Sequence, residues 1–419
     1  MNKIKNSALE KASCDPKCDE GARFARLWIV GFLLLHFATA PLWGWTLGSF
    51  PRVSFLPETL RGLTGFDLIF VGPLIVAAFA LLWKPDNRSL WWWFLVPLGL
   101  LVLLDQHRLQ PWVYQTLIYG VLLGSTPWRQ TRPWVTAVAI SVYFYSSIGK
   151  LDYQFVHTVG RDMVATLLTP VGDVTPKTLV GLAFALPISE LLIAILLTIP
   201  RTRSIGGSLA LGMHATLILL LGPWAMNHSL GVLLWNALLA AQAWMLFIRS
   251  ASNPATSIED TDEKSNRISP RIAQAIAFVV LLAPLSERHG WWDHWTSWAL
   301  YSPHNSRAEI QIHASATEQL PAEAQAYLVA TESGDGWQTL DFESWSLESR
   351  RVPIYPQARY QVGFGYELAR LSELGGAIRV TRKSVSDRWT GKRSERRAIG
   401  MQELERMIES SSNRDRFQD

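Results

Sequence analysis

The chain has 419 residues, of which 49% are hydrophobic and only 18% charged, with 20 Trp and a formal net charge of +4. That is more apolar and less charged material than a soluble domain of this size usually carries, which sets aside a water-soluble globular protein and points to an integral membrane protein.

The N-terminal tail, residues 1–25, is polar and holds both cysteines, Cys14 and Cys18, in "CDPKC". A Cys-x3-Cys pair without His or further Cys is a weak metal signal, so reduced thiols are expected on a cytoplasmic side. Nine apolar runs follow, at 27–47, 66–83, 89–104, 111–126, 133–150, 178–199, 205–224, 229–248 and 271–287. A helix needs about 20 residues at 1.5 Å each to cross roughly 30 Å of hydrocarbon, and these continuous runs do not show the alternation of a barrel strand. The expected fold is an α-helical polytopic membrane bundle over residues 26–287. "ATA" at Ala38 to Ala40 looks like a signal-peptidase site, but some 25 polar residues precede the run and it continues through Trp43 and Trp45, so it is read as a span.

Lys84, Arg88, Arg129, Arg132, Arg201, Arg203, Arg249, Lys264 and Arg267 fall in loops on one side of a nine-span bundle; fewer cations, Arg52, Arg61, Arg108, Arg161 and Lys177, fall on the other. The bias places the N-terminus in the cytoplasm and residues 288–419 outside it. In that region "SRAEIQIHAS", "AQAYLVAT" and "GWQTLDFESW" read as strands and "PQARYQVGFGYELARLSELGG" as a helix closed by Gly375, giving a small α+β extramembrane domain able to meet a protein partner. The basic stretch Arg379 to Arg397 reads as a solvated face or a surface for anionic lipid headgroups. Repeats, phosphate-binding glycine motifs and nucleic-acid signatures are absent from the sequence.

Ionisable groups inside spans are costly and tend to face a bundle interior. Counted from the outer helix ends at 1.5 Å per residue, His36, Glu190 and His214 lie roughly 15–18 Å deep. Gly206, Ala210 and His214, at i, i+4 and i+8, make a small-then-polar stripe that admits a close neighbour. Each histidine also reads as a helix-bridging hydrogen-bond partner, His36 more so than His214. Asp105, in "DQHRLQPW", ends the third run at the outer side. Tyr143, Ser146, Ser147 and Lys150 fall at i, i+3, i+4 and i+7, one polar stripe ending at the lysine, which is either a functional amine or a side chain snorkelling to the headgroups.

The segment "YFYSSIGKLDYQFV", Tyr143 to Val156, resembles the part of vitamin K-dependent gamma-carboxylases that carries their catalytic lysine. "RSIGGSLALGMHATLILLLGPWAMNHSLGVLLWN", Arg203 to Asn236, is similar to theirs as well, and the likeness to this horizontally transferred transmembrane (HTTM) domain runs from Arg26 to Phe247. The resemblance implies that Lys150 acts as base on a vitamin K-like quinol and that His214 belongs to the same site, with no metal required. Glu190 is the third candidate for proton chemistry, and Tyr143, Ser146, His36 and Asp105 are candidates for holding the head group. A neutral amine shielded from water can take a hydroxyl proton near neutral pH, which a guanidinium cannot. The carboxylases carry a lysine pair where this chain has Gly149-Lys150, and a much larger lumenal domain for their protein substrate, so the resemblance does not extend to peptide carboxylation. The competing expectation is a non-catalytic module that binds lipid or quinone, or that assembles with another membrane protein.

Overall fold

The computed structural model describes residues 16–44, 48–56, 67–249, 270–331 and 334–414. Cys14, Arg61, Lys264 and Arg267 lie outside these residues. The first helix, α1, spans Pro16–Ala38 and begins within the polar tail; it stops before Pro41, and Ala40–Trp43 continues as a single 3-10 turn. Then come α2 (Asp67–Trp83), α3 (Arg88–Leu104), α4 (Pro111–Ser125) and α5 (Trp128–Lys150). Two short helices, α6 (Tyr153–His157) and α7 (Val159–Leu168), lead to α8 (Pro176–Ala183) and α9 (Ala185–Thr198), which together form one rod. The bundle is completed by α10 (Arg203–Leu221), α11 (Leu230–Ala243) with a π-helical extension to Ile248, and α12 (Pro270–Leu282).

Among the described residues each apolar run read from the sequence is helical over most of its length, but the helices differ in length. Five of the described helices are long and apolar enough to cross a membrane: Glu20–Ala38, Pro176–Thr198, Pro200–Leu221, Leu230–Ile248 and Pro270–His289. The helices α2 and α3 have 17 residues each, and α4 has 15, which at 1.5 Å per residue is about 22 Å. Nearly all of α4 is buried, including Gln115, Thr116 and Tyr119, as expected of a helix enclosed by others rather than facing lipid. Outward-facing Leu68, Ile69, Val76, Trp83, Trp93 and Leu219 are exposed, an apolar exterior that suits a bilayer and not water.

A second hydrophobic core belongs to the C-terminal domain. Its antiparallel sheet has the order β2-β3-β1-β4-β5, built from β1 (Arg307–His313), β2 (Leu328–Ala330), β3 (Trp337–Leu340), β4 (Ile378–Lys383) and β5 (Glu395–Ile399). In β1, Ala308, Ile310 and Ile312 point inward while Gln311 pairs with Thr339 on one side and Arg379 on the other. Covering the sheet are α14 (Phe342–Arg350), α15 (Ala358–Leu371) and α16 (Gly400–Arg414); α13 is a single turn, Ala322–Gln325. Gly375 takes the left-handed conformation, φ +55°, after α15. The basic stretch from Arg379, read as a solvated face, forms β4 and β5; Ile378 and Val380 bury the inner side of β4 and leave its cations outward.

The two cores meet through the loop between α3 and α4. Asp105 lies at the end of α3 and is fully buried, its Oδ2 accepting from Arg350 of α14 at 2.8 Å while Oδ1 caps the His107 backbone. The His107 ring contacts the Pro353 carbonyl at 2.9 Å and lies near the Phe50 and Tyr360 rings. Burial alone would raise Asp105, but the charges of Arg350, Arg108 and His107 hold its carboxyl below the usual range. His107 is pushed down to about 4, first by burial and then by the Arg350 charge.

Candidate functional site

The site forms because α5 carries its polar stripe inward. Tyr143, Ser146, Ser147 and Lys150 are all buried, so the i, i+3, i+4, i+7 spacing does present one face. Ser147 Oγ donates to the Pro187 carbonyl at 2.8 Å, which fixes α5 against α9 and sets the carboxylate of Glu190, one turn further along α9, beside the lysine. Lys150 Nζ lies 2.6 Å from Glu190 Oε1 and 2.8 Å from Ser146 Oγ, with the two charged side chains only 7% and 10% exposed. A lysine snorkelling to headgroups would leave its ammonium in water; this one ends inside the protein.

A second chain of hydrogen bonds crosses the same space. His214 of α10 lies 3.0 Å from the Tyr143 hydroxyl through Nε2 and 3.0 Å from Asn236 Oδ1 through Nδ1. Asn236 Nδ2 donates to the Val232 carbonyl at 2.9 Å, so its Oδ1 is the acceptor and His214 Nδ1 carries the proton. In a neutral ring Nε2 is then the acceptor and Tyr143 donates to it. The order Tyr143, His214, Asn236, Val232 is thus directional, and the Tyr143 oxygen keeps its lone pairs for a further donor. Gly206 makes this possible: a Cβ there would meet Leu196 Cβ and the Leu197 backbone nitrogen at 3.0 Å, so α10 can lie against α9 only with glycine at that place.

Both chains border one cavity, lined by Tyr143, Ser146, Lys150, Glu190, His214 and Asn236 together with the apolar Val142, Met213, Leu217, Trp235, Leu239, Leu300 and Tyr301. It holds about 400 Å³ of space between atoms with its mouth included, and about 30 Å³ of room for whole water molecules. Two buried polar atoms at its walls, Glu190 Oε2 and Trp235 Nε1, have no hydrogen-bond partner. Buried polar groups are nearly always satisfied, so an acceptor and a donor left open on residues that line one cavity mark a place that a ligand or ordered water completes.

The cavity is roofed by the segment after α12. Leu300 and Tyr301 enter it, and Trp298 joins the bundle core while Trp295 joins the C-terminal core. Gly149 faces this segment: a Cβ would meet Ser302 Oγ at 3.0 Å and Ala299 Cβ at 3.4 Å. The Gly149-Lys150 pair therefore has a local reason, the close passage of the roof.

Of the residues singled out in the sequence, Lys150, Glu190, His214, Tyr143 and Ser146 converge here. His36 and Asp105, expected to hold the head group, do not line the cavity. His36 is fully buried in the bundle core, stacked on Trp43 at 4.7 Å and near Phe32. Equal depth is a one-dimensional coincidence: the His36 ring lies among Phe32, Phe37 and Trp43 and not at the cavity. Asp105 is consumed by Arg350 at the domain junction. Asn236 and Trp235 also line the cavity; Asn236 stands out in the sequence as a polar residue in the apolar run "LLWNALL", at a shallower depth than His214, and Trp235 beside it carries no such signal. The Tyr301 roof was not legible, since it arrives from beyond the last span. Away from the cavity, Glu287, His294 and His304 form a buried cluster whose ligand atoms lie within 4.8 Å of one another.

Comparison with protein-family models, with curated proteins and with solved structures finds no match for this chain.

Proposed function

We propose that the protein is an integral membrane enzyme that takes a proton from a hydroxyl-bearing, quinol-like amphiphile at the mouth of its helical bundle. The observation that supports this most is the pairing of Lys150 with Glu190 at 2.6 Å on the wall of a mostly apolar cavity, with the second carboxylate oxygen left open. Within the pair the lysine proton would move to Glu190, the neutral Lys150 amine so freed would take the proton of a head-group hydroxyl, and the ammonium formed would stabilise the oxyanion left behind. Trp235 Nε1 would donate to a second oxygen of the ring, and Tyr143, whose own proton is committed to His214, would accept from a further donor. The apolar residues would take the ring and the start of the tail, the cavity opening further to admit them, since it has only about 30 Å³ of room for whole water molecules. This reading keeps the resemblance to the vitamin K-dependent gamma-carboxylases for the quinol step alone.

In the same proposal the nine apolar helices all reach across the bilayer, with short ones buried in the bundle, and the excess of loop Lys and Arg keeps the N-terminus in the cytoplasm and the C-terminal domain outside. One observation favours a second reading, a non-catalytic lipid- or quinone-binding module: the polar groups of the cavity are largely paired with one another.

The test uses detergent-solubilised full-length protein. Lipid extracted from it is examined by mass spectrometry for quinones, and aerobic oxidation of a vitamin K-type naphthoquinol is followed optically. Lys150→Ala, which also strands Glu190 and lowers stability, should abolish turnover per folded molecule, and Lys150→Arg, which keeps the charge, should be nearly as inactive because guanidinium stays protonated to above about pH 12. Full activity in the arginine variant would sink the catalytic assignment. Quinone retained by a protein that never turns it over would favour the binding module.

A further inference from the structure

We propose that Glu287, His294 and His304 bind a first-row divalent metal ion that pins the roof of the cavity. His294 Nδ1 lies 2.8 Å from Glu287 Oε1, and His304 Nε2 lies 3.0 Å from Oε2 and 3.1 Å from Oε1. The imidazole centroids are 4.8 Å apart with an interplanar angle of 69°, and all three residues are buried. Two donors held at about 2.0–2.2 Å by one tetrahedral or octahedral ion are roughly 3–3.5 Å apart; the His304 contacts, at 3.0 and 3.1 Å, already have that length, while the His294 contact at 2.8 Å has to lengthen slightly and the widest pair, within 4.8 Å, has to close as the rings turn onto the ion. A set of two imidazoles and one carboxylate without sulfur suits zinc, iron(II) or manganese(II), and leaves at least one position for water. The adjacent cation, Arg288, is engaged by Asp152 at 2.9 Å and does not occupy the carboxylate.

The position of the cluster gives the ion its role. Glu287 ends the helical rod that starts at Pro270, whereas His294 and His304 lie on the irregular stretch that follows, so an ion would close a loop containing Leu300 and Tyr301. That loop also holds Trp298 and Tyr301 at φ +58° each, left-handed backbone for aromatic residues. Such conformations persist only where the surroundings fix them, and a three-point tether supplies that. Separated by six and nine residues, the ligands match no familiar metal spacing, which is why the sequence gives no warning of them.

The experiment is metal analysis of the full-length protein purified in detergent without chelator. The expected result is close to one divalent ion per chain by plasma mass spectrometry. After removal by EDTA, titrated cobalt(II) should bind at one equivalent with visible d–d absorption, and zinc should raise the melting temperature. Glu287→Gln, His294→Asn and His304→Gln, which keep hydrogen-bonding side chains, should each lose the stoichiometric metal and the zinc-dependent rise. A chain that carries no ion and gains neither colour nor stability from added cobalt or zinc would overturn the proposal, leaving a hydrogen-bonded cluster only. So would folded variants that retain the full metal content. Because the readout is metal content, it stands or falls independently of any quinol activity.

Discussion

Replacing Lys150 with Met and Glu190 with Leu, singly and together, probes the pair on which the functional reading rests. At 2.6 Å and an effective dielectric of about 20, the gross attraction is about 6 kcal/mol, and taking both ions out of water costs a similar amount. The pair is therefore worth little against two apolar side chains, whereas either ion left alone is expensive. With side chains only 7% and 10% exposed, each single variant should lose about 3–5 kcal/mol, and the double variant should be more stable than either. The cycle then shows a coupling of at least about 3 kcal/mol, read from unfolding of the solubilised protein in mixed micelles by tryptophan fluorescence. Single losses that simply add, to within about 0.5 kcal/mol, would mean that the two charges do not meet and would refute the geometry.

His214→Leu strands Tyr143 and Asn236 and should cost about 1–3 kcal/mol, against under about 0.5 kcal/mol for the outward-facing Leu219→Ala; equal effects in the same assay would place His214 away from the interior. Trp235→Phe deletes an unpartnered N–H, so quinone affinity should fall about 2- to 12-fold, the worth of one hydrogen bond, with little change in stability; unchanged affinity would remove Trp235 from the head-group site. His107 sits at about 4 in the folded protein against an ordinary 6.5, so as pH falls through this window the unfolded chain takes up a proton that the folded one refuses. Stability should drop by up to about 3 kcal/mol between pH 6.5 and 4 and flatten below, and the drop should be smaller in His107→Gln; identical pH profiles would exclude His107 as its source. A reporter after Asp419 should be active only outside the cytoplasm and one near Ser265, which lies outside the described residues, only inside.

Helices were legible because long apolar runs need only length and composition. Their ends were not: α1 was expected to continue to 47, but Pro41 cannot extend it, and α4 looked like a short span although its Gln115 and Tyr119 hydrogen-bond with Gln242 inside the bundle. The stripe on α5 was legible because helical periodicity fixes which residues share a face. Which helices face each other is not periodic information, and so Glu190 and His214 could be set at one depth with His36, but only the fold could join two and leave the third among Phe32 and Trp43. Strands β4 and β5 were hidden for a different reason: with one face solvated, their arginines outnumber the Ile378 and Val380 that pack.

The turn after Lys150 bears on how this protein can be dissected. Two residues past the lysine, Asp152 holds Arg288; the Tyr153 backbone nitrogen donates to the Arg388 carbonyl at 2.8 Å, and Gln154 Nε2 donates to the Gly391 carbonyl at 2.8 Å. At the other junction Arg350 neutralises the fully buried Asp105. Truncating the chain after the last apolar helix would leave a carboxylate without its counterion and free the end of α5 at the place where the lysine is aimed. A deletion phenotype would then report a damaged bundle, and any separate role of the C-terminal domain has to be sought with substitutions on its outer face instead.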